Sequence, residues 1–189
     1  WVRDPQDLAF ADFDGDGDVD LALGNLGHSD VVYENDGGLP IFDPCIVAGS
    51  GDWCSDEAAY SQAVAWGDMD GDGRLDLAVA AENDSVRVYA SFGDPSSTFD
   101  TAPDWESTDA VRGRDVGWAD QDGDGDLDLA VAAYQPNTSA DTGQNRDLVF
   151  LGDGQTLGLV HGWQSSDTLT RGLAWSDADG DGAPDLSLV

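Results

Sequence analysis

Apolar residues gather in short stretches along this chain, separated by polar segments rich in Gly, Asp, Asn and Pro. One set ends on an aspartate and carries an aromatic two places before it: LAFAD, VAWGD, VGWAD and LAWSD, with Phe10, Trp66, Trp118 and Trp175. A second set opens on an aspartate: DLALGN from Asp20, DLAVAA from Asp76 and Asp128, and DLSLV from Asp185. A third occurs three times, as VVYEND from Val31, VRVYAS from Val86 and LVFLGD from Leu148. These stretches are short, β-branched or aromatic, and bounded by turn formers, which is the signature of strands. No segment keeps an apolar period of 3.6, so the expectation is an all-β chain with very little helix.

The stretches recur in a fixed order. A loop of the form Asp-x-Asp-Gly-Asp-Gly-x-x-Asp-Leu stands between the first and second sets, beginning at Asp12, Asp68, Asp120 and Asp177. Each unit then closes on a tryptophan: Trp53, Trp105 and Trp163, with Trp1 in the same place ahead of the first loop. Four strands per unit of about 50 residues, with one loop placed identically each time, match the four-stranded antiparallel blade of a β-propeller. The units run approximately over 5–56, 57–109, 110–167 and, in part, 168–189. That is about three and a half blades of a larger propeller, forming a single repeat region. Propellers close with roughly four to eight blades, so further repeats, from the same protein or from another copy, are expected to complete it. The aromatics before the loops, fixed in an inner strand, are expected to pack between blades rather than to stack on sugars.

Charge sharpens the picture. Seven basic residues, all Arg, face 39 acidic ones, for a net charge of −32. All but four of the acids (Glu34, Glu57, Glu82 and Glu106) are Asp. Either acid would serve solubility, so the preference for the shorter one points to loop geometry. A surface this acidic repels nucleic acid and anionic lipid. No apolar run approaches the ~18 residues needed to span a membrane, so no membrane insertion is expected.

The loops carry the candidate chemistry. Calcium takes six to eight oxygens, and the loop offers carboxylates at positions 1, 3, 5 and 9 and a backbone carbonyl at position 7. The carboxylates are Asp12, Asp14, Asp16 and Asp20; Asp68, Asp70, Asp72 and Asp76; Asp120, Asp122, Asp124 and Asp128; and Asp177, Asp179, Asp181 and Asp185. Position 7, where only the carbonyl is expected to coordinate, is Asp18, Arg74, Asp126 and Ala183. Glycines at positions 4 and 6 let the backbone take positive φ and wrap the ion. An EF-hand would need Glu at position 12 and flanking helices; position 12 is Leu23, Val79, Val131 and Leu188. Magnesium is disfavoured because it holds a tight octahedron and keeps its waters. About four Ca²⁺ ions, one per loop, are expected.

These loops and flanks resemble the FG-GAP/VCBS calcium-binding repeats of integrin α-chain propellers, fungal fucose-binding lectins and large bacterial secreted proteins. The resemblance implies that the loop joins the first two strands of a blade and that the chain is extracellular or on a cell surface. The Phe-Gly and Gly-Ala-Pro signatures of the integrin version are not matched, so integrin-like ligand binding is not carried over. The expected function is a non-catalytic calcium-binding module serving adhesion, glycan or protein recognition, or extracellular assembly. The alternative is the propeller scaffold of an extracellular polysaccharide-degrading enzyme. No Ser/His/Asp order, Cys/His pair or P-loop can be assembled, and His28 and His161 occupy non-equivalent positions. Sequons at Asn83 and Asn137 fall in loop-like places. Cys45 and Cys54 lie in a segment where the first unit is longer than the second, and a local disulfide is expected to pin that insertion.

Overall fold

The computed structural model describes residues 4–35, 37, 45, 53–94, 97–134, 146–159, 161–165 and 169–189. Trp1, Asn137 and the side chain of Asn83 lie outside the described residues. Twelve strands appear among those described: β1 (Pro5–Ala11), β2 (Asp20–Tyr33), β3 (Trp53–Gly67), β4 (Asp76–Tyr89), β5 (Ser91–Asp94), β6 (Ser97–Phe99), β7 (Trp105–Ala119), β8 (Asp128–Ala133), β9 (Leu148–Phe150), β10 (Trp163–Gln164), β11 (Leu173–Ser176) and β12 (Asp185–Leu188). No helix is present among the described residues, and every strand pairing is antiparallel.

The third unit shows the plan most simply. Residues Gly113–Ala119 of β7 pair with β8, β8 with β9, and β9 with β10. In the first two units the middle two strands run together as β2 and β4, each 14 residues long. Fully extended, fifteen residues would span roughly 50 Å, yet Ser91 N donates to Asp76 Oδ1 at 2.9 Å and Asn35 N to Asp20 Oδ1 at 2.8 Å. Each run therefore folds back as a hairpin. The 15-residue β3 and β7 link the units. Their first halves pair with β2 and β4 as outer strands, and their second halves pair with β4 and β8 as inner strands of the next unit. The β11–β12 hairpin begins a fourth unit.

The core lies between the units. Alternation along Leu77-Ala78-Val79-Ala80 puts large side chains on one face of the sheet and small ones on the other. Leu77, Val79 and Tyr89 pack with Ala22, Val32 and Trp53 of the first unit, while Ala78, Ala80 and Val88 pack with Leu129, Val131 and Phe150 of the third. The large face of one sheet thus meets the small face of its predecessor, which allows close stacking. Hydrogen bonds reinforce the inner strands. Trp66 Nε1 donates to Ala9 O (3.3 Å), Trp118 Nε1 to Ala65 O (3.3 Å) and Trp175 Nε1 to Gly117 O (3.1 Å). Trp66, Trp118 and Trp175 thus bridge to the preceding unit, as the pattern predicted, whereas Phe10, in the first unit, is 63 % exposed. The disulfide is present as well: Cys45 and Cys54 are joined, with Cα atoms 5.5 Å apart.

Candidate metal centre

Each acidic loop connects the inner strand of a unit to the next strand. Its glycines take left-handed backbone conformations, with φ of 71° at Gly71 and 88° at Gly73 and similar values in the other three loops. The curled backbone turns its N–H groups inward onto the carboxylates. In the first loop Gly15 N and Gly17 N donate to Asp12 Oδ1 and Oδ2, Asp16 N to Asp14 Oδ1, and Asp18 N to Asp16 Oδ1. The third and fourth loops repeat the set. The second loop keeps the other three bonds but leaves Asp68 Oδ1 without a partner.

The cages gather carboxylates. One oxygen each from positions 1, 3 and 9 lies within 4.8 Å of the others in every loop: Asp12, Asp14 and Asp20; Asp68, Asp70 and Asp76; Asp120, Asp122 and Asp128; Asp177, Asp179 and Asp185. These clusters can hold a metal ion. The position-5 carboxylates, Asp16, Asp72, Asp124 and Asp181, stand outside these groups. Those of Asp16 and Asp72 are close enough to raise the pKa of Asp20 and Asp76. The backbone N–H groups of the position-7 residues Asp18, Arg74, Asp126 and Ala183 donate to position 5. Arg74 differs from its counterparts, because its guanidinium sits on Asp72 and also donates to Ser91 O. Val79 and Val131, the position-12 residues of the second and third loops, are buried in the cores, which agrees with the rejection of an EF-hand.

Position 9 does more than its place in the loop suggests. Its Oδ2 accepts from the backbone N–H of position 2: Phe13, Met69, Gln121 and Ala178. In three units its Oδ1 accepts from the end of the third strand, at Asn35, Ser91 and Gly152. Asp20, Asp76 and Asp128 are each 1 % exposed. Burial, against the help of Ser91 and Met69 and with repulsion from Asp70 and Asp72, pushes the Asp76 carboxyl up to about 6. Burial likewise raises Asp20, and the more open Asp122 is raised by partial desolvation and by repulsion from the Asp124 carboxylate.

A metal ion fits this setting. Asp68 Oδ1 is buried with no hydrogen-bond partner, and the donors are hard oxygens only, suited to calcium or magnesium rather than a soft metal. An oxygen-binding cation would satisfy the orphaned oxygen and remove the repulsion that raises its neighbours.

Two features were missed in the sequence. A serine two places after each closing tryptophan, Ser55, Ser107 and Ser165, accepts the first N–H of the third strand, from Asp30, Val86 and Asp147. The Trp-x-Ser spacing was the available signal. Asp30 and Asp147 are buried and accept from Asn25 N and Ala133 N, and from the hydroxyls of Ser61, Ser165 and Thr170. Val86 takes this place in the second unit, which hid the pattern.

Residues 12–79 and 68–131 match the model of the FG-GAP-like repeat, the two matches overlapping by one loop as successive copies would. No curated protein matches the chain.

Proposed function

Since the chain belongs to the FG-GAP-like repeat family, we propose that it is a non-catalytic, calcium-stabilised propeller module of a secreted or cell-surface protein, serving recognition or extracellular assembly. The observation that supports calcium is the fourfold cage of three converging carboxylates with an unsatisfied buried oxygen at Asp68. Calcium supplies positive charge and six to eight oxygen contacts there; the chain supplies the oxygens and holds them with its own N–H groups before any ion arrives. The disulfide agrees with an oxidising, extracellular setting. Adhesion, glycan binding and assembly all remain within this reading, and in each the sheets act as scaffold.

Calorimetric titration of the chelator-treated chain with CaCl₂ tests the proposal. Four oxygen-ligated ions per chain are expected, falling by one in each of Asp70→Ala and Asp122→Ala. Fewer than three ions, or equal heats from MgCl₂, would count against it.

A further inference from the structure

Three of the seven arginines, in a chain of net charge −32, gather at one place away from the acidic loops. Six residues ahead of the first loop aspartate, the four units carry Gln6, Gln62, Arg114 and Arg171. At about 3.3 Å per strand residue, that position lies roughly 20 Å along the strand from the loop. Neighbouring units meet there through side chains. Arg114 Nη1 donates to Gln62 Oε1 at 2.6 Å, and Arg171 Nη2 donates to the Tyr134 hydroxyl at 3.0 Å. The guanidinium carbons of Arg171 and Arg114 lie 4.5 and 5.8 Å from the centre of the same Tyr134 ring. Arg112, two residues before Arg114 in β7, completes the group.

The group holds more positive charge than its carboxylates answer. Glu82 pairs with both Arg114 (3.2 Å) and Arg112 (3.7 Å), and among the described residues it is the only carboxylate ion-paired with any of the three. The adjacent Asp115 is taken up by the Val116 and Leu173 N–H groups. The Arg114 Nε–H is buried without a hydrogen-bond partner. Guanidinium is weakly hydrated and its fork of donors matches a carboxylate, so three of them sharing Glu82 form a receptor for another. The backbone here is already committed: Glu82 pairs with Arg112 in the sheet, and Tyr134 N donates to Arg112 O at 3.0 Å. A ligand is therefore read by side chains. Tyr60, which holds in the second unit the place of Arg112 in the third, presents a ring that is 59 % exposed.

We propose that this cluster binds a saccharide that carries a single carboxylate among neutral sugars. Arg114 and Arg171 hold the carboxylate beside Tyr134, and a neutral sugar packs the apolar face of its ring on Tyr60. The field of the whole chain selects the ligand as much as the cluster does. A net charge of −32 repels polyanions at long range, so nucleic acids and densely sulfated chains are turned away, whereas one isolated carboxylate meets far less repulsion. An extended acidic peptide would need backbone partners that the sheet has already used. The inference deepens the glycan-recognition branch of the proposed function and rests on it, but it makes no use of the calcium loops.

The test titrates the full chain with two trisaccharides, one ending in glucuronate and one in sialic acid, each beside its carboxyl methyl ester. NMR follows the arginine Nε–H signals, with Arg114→Gln assigning that of Arg114, and calcium loading is measured on the same samples. At least one free acid should shift the Arg114 signal saturably, and the pair shows which acid is preferred. Its ester should bind at least about tenfold more weakly, since a hydrogen bond to a charged group is worth an order of magnitude or more in affinity. Arg114→Gln and Arg171→Gln should each weaken binding to a similar degree. Both copy the residue that the first two units carry at this position, so both should fold. No shift with either acid at millimolar ligand would overturn the proposal, as would equal binding of acid and ester or unchanged binding by Arg114→Gln. Tighter binding of a tetraglutamate peptide than of either saccharide would also overturn it and assign the cluster to acidic peptides. A chain that loads calcium fully and ignores both acids overturns this inference alone and leaves the calcium-stabilised module standing.

Discussion

Within each cage the carboxylates divide into those that only face an ion and those that also hold the fold. Asp70 accepts one N–H inside its own loop, whereas Asp76 accepts from Met69 and from Ser91 across the hairpin, both in buried surroundings. Asp76→Ala leaves two buried donors unpaired, at about 1–3 kcal/mol each. In excess chelator it should therefore lose several kcal/mol by urea denaturation, while Asp70→Ala changes stability by less than about 1 kcal/mol. Both variants should lose the calcium-dependent increment of their loop, so the two roles separate. Asp30 offers a test away from the loops. Burial raises its carboxyl to about 6, while the Asn25 N–H, the Ser61 hydroxyl and Arg87 pull it back; Tyr89 is the other titratable group it influences. A raised carboxyl binds its proton more tightly in the folded state. Its contribution to stability is thus fully present below the ordinary value of 3.8 and is lost as pH rises through about 6. At ~1.4 kcal/mol per pK unit the loss amounts to about 3 kcal/mol. Asp30→Asn should keep the hydrogen bonds and flatten this dependence between pH 4 and 6, measured against the parent chain in chelator. The ligand candidates were legible because four copies repeat them. The strand-holding duty of Asp76 was not, because Ser91 comes near only once β4 has turned back.

Strands were legible wherever apolar alternation met a fixed neighbour, and their stacking followed from one column of aromatics. What the sequence could not display was how closely the sheets approach. A Cβ built on Gly67 would lie 2.6 Å from the Trp118 ring, and Gly67 has no left-handed φ to explain its choice. Gly67→Ala must therefore push the second and third units apart, and a loss of about 1–3 kcal/mol is expected from thermal or urea unfolding. Trp118→Phe keeps the ring but drops the donor to Ala65 O, at a cost of about 1 kcal/mol. A larger loss for Gly67→Ala than for Trp118→Phe would show that spacing, more than the hydrogen bond, sets the contact.

Taken whole, the molecule is strongly acidic, and cations that neutralise its loops should decide whether the stack holds. The net charge is −32, and four divalent ions would bring it to −24 by adding eight positive charges. Screening and specific binding are distinguishable. Salt weakens repulsion between exposed carboxylates over a Debye length of about 8 Å at 0.15 M, so NaCl in chelator should raise the melting temperature gradually and without saturation. Calcium should act at far lower concentration and saturate. With Kd of about 10⁻⁴–10⁻³ M, typical of extracellular calcium modules, roughly 2 mM calcium adds about 0.6–1.8 kcal/mol per site by mass action, or about 3–7 kcal/mol over four sites. That is comparable with the roughly 5–15 kcal/mol by which a domain is normally stable, so chelation should lower the melting temperature by many degrees. Magnesium at the same concentration should give only the screening effect, because it dehydrates reluctantly and demands a tighter octahedron. Acid should erode the calcium increment, since the ligands bind as carboxylates and are protonated as pH falls toward 4. The decisive comparison is a melting curve in 2 mM CaCl₂ against NaCl of equal ionic strength, both at neutral pH. Coincident curves would mean that the cages are acidic turns relieved by screening alone, and the metal proposal would fall.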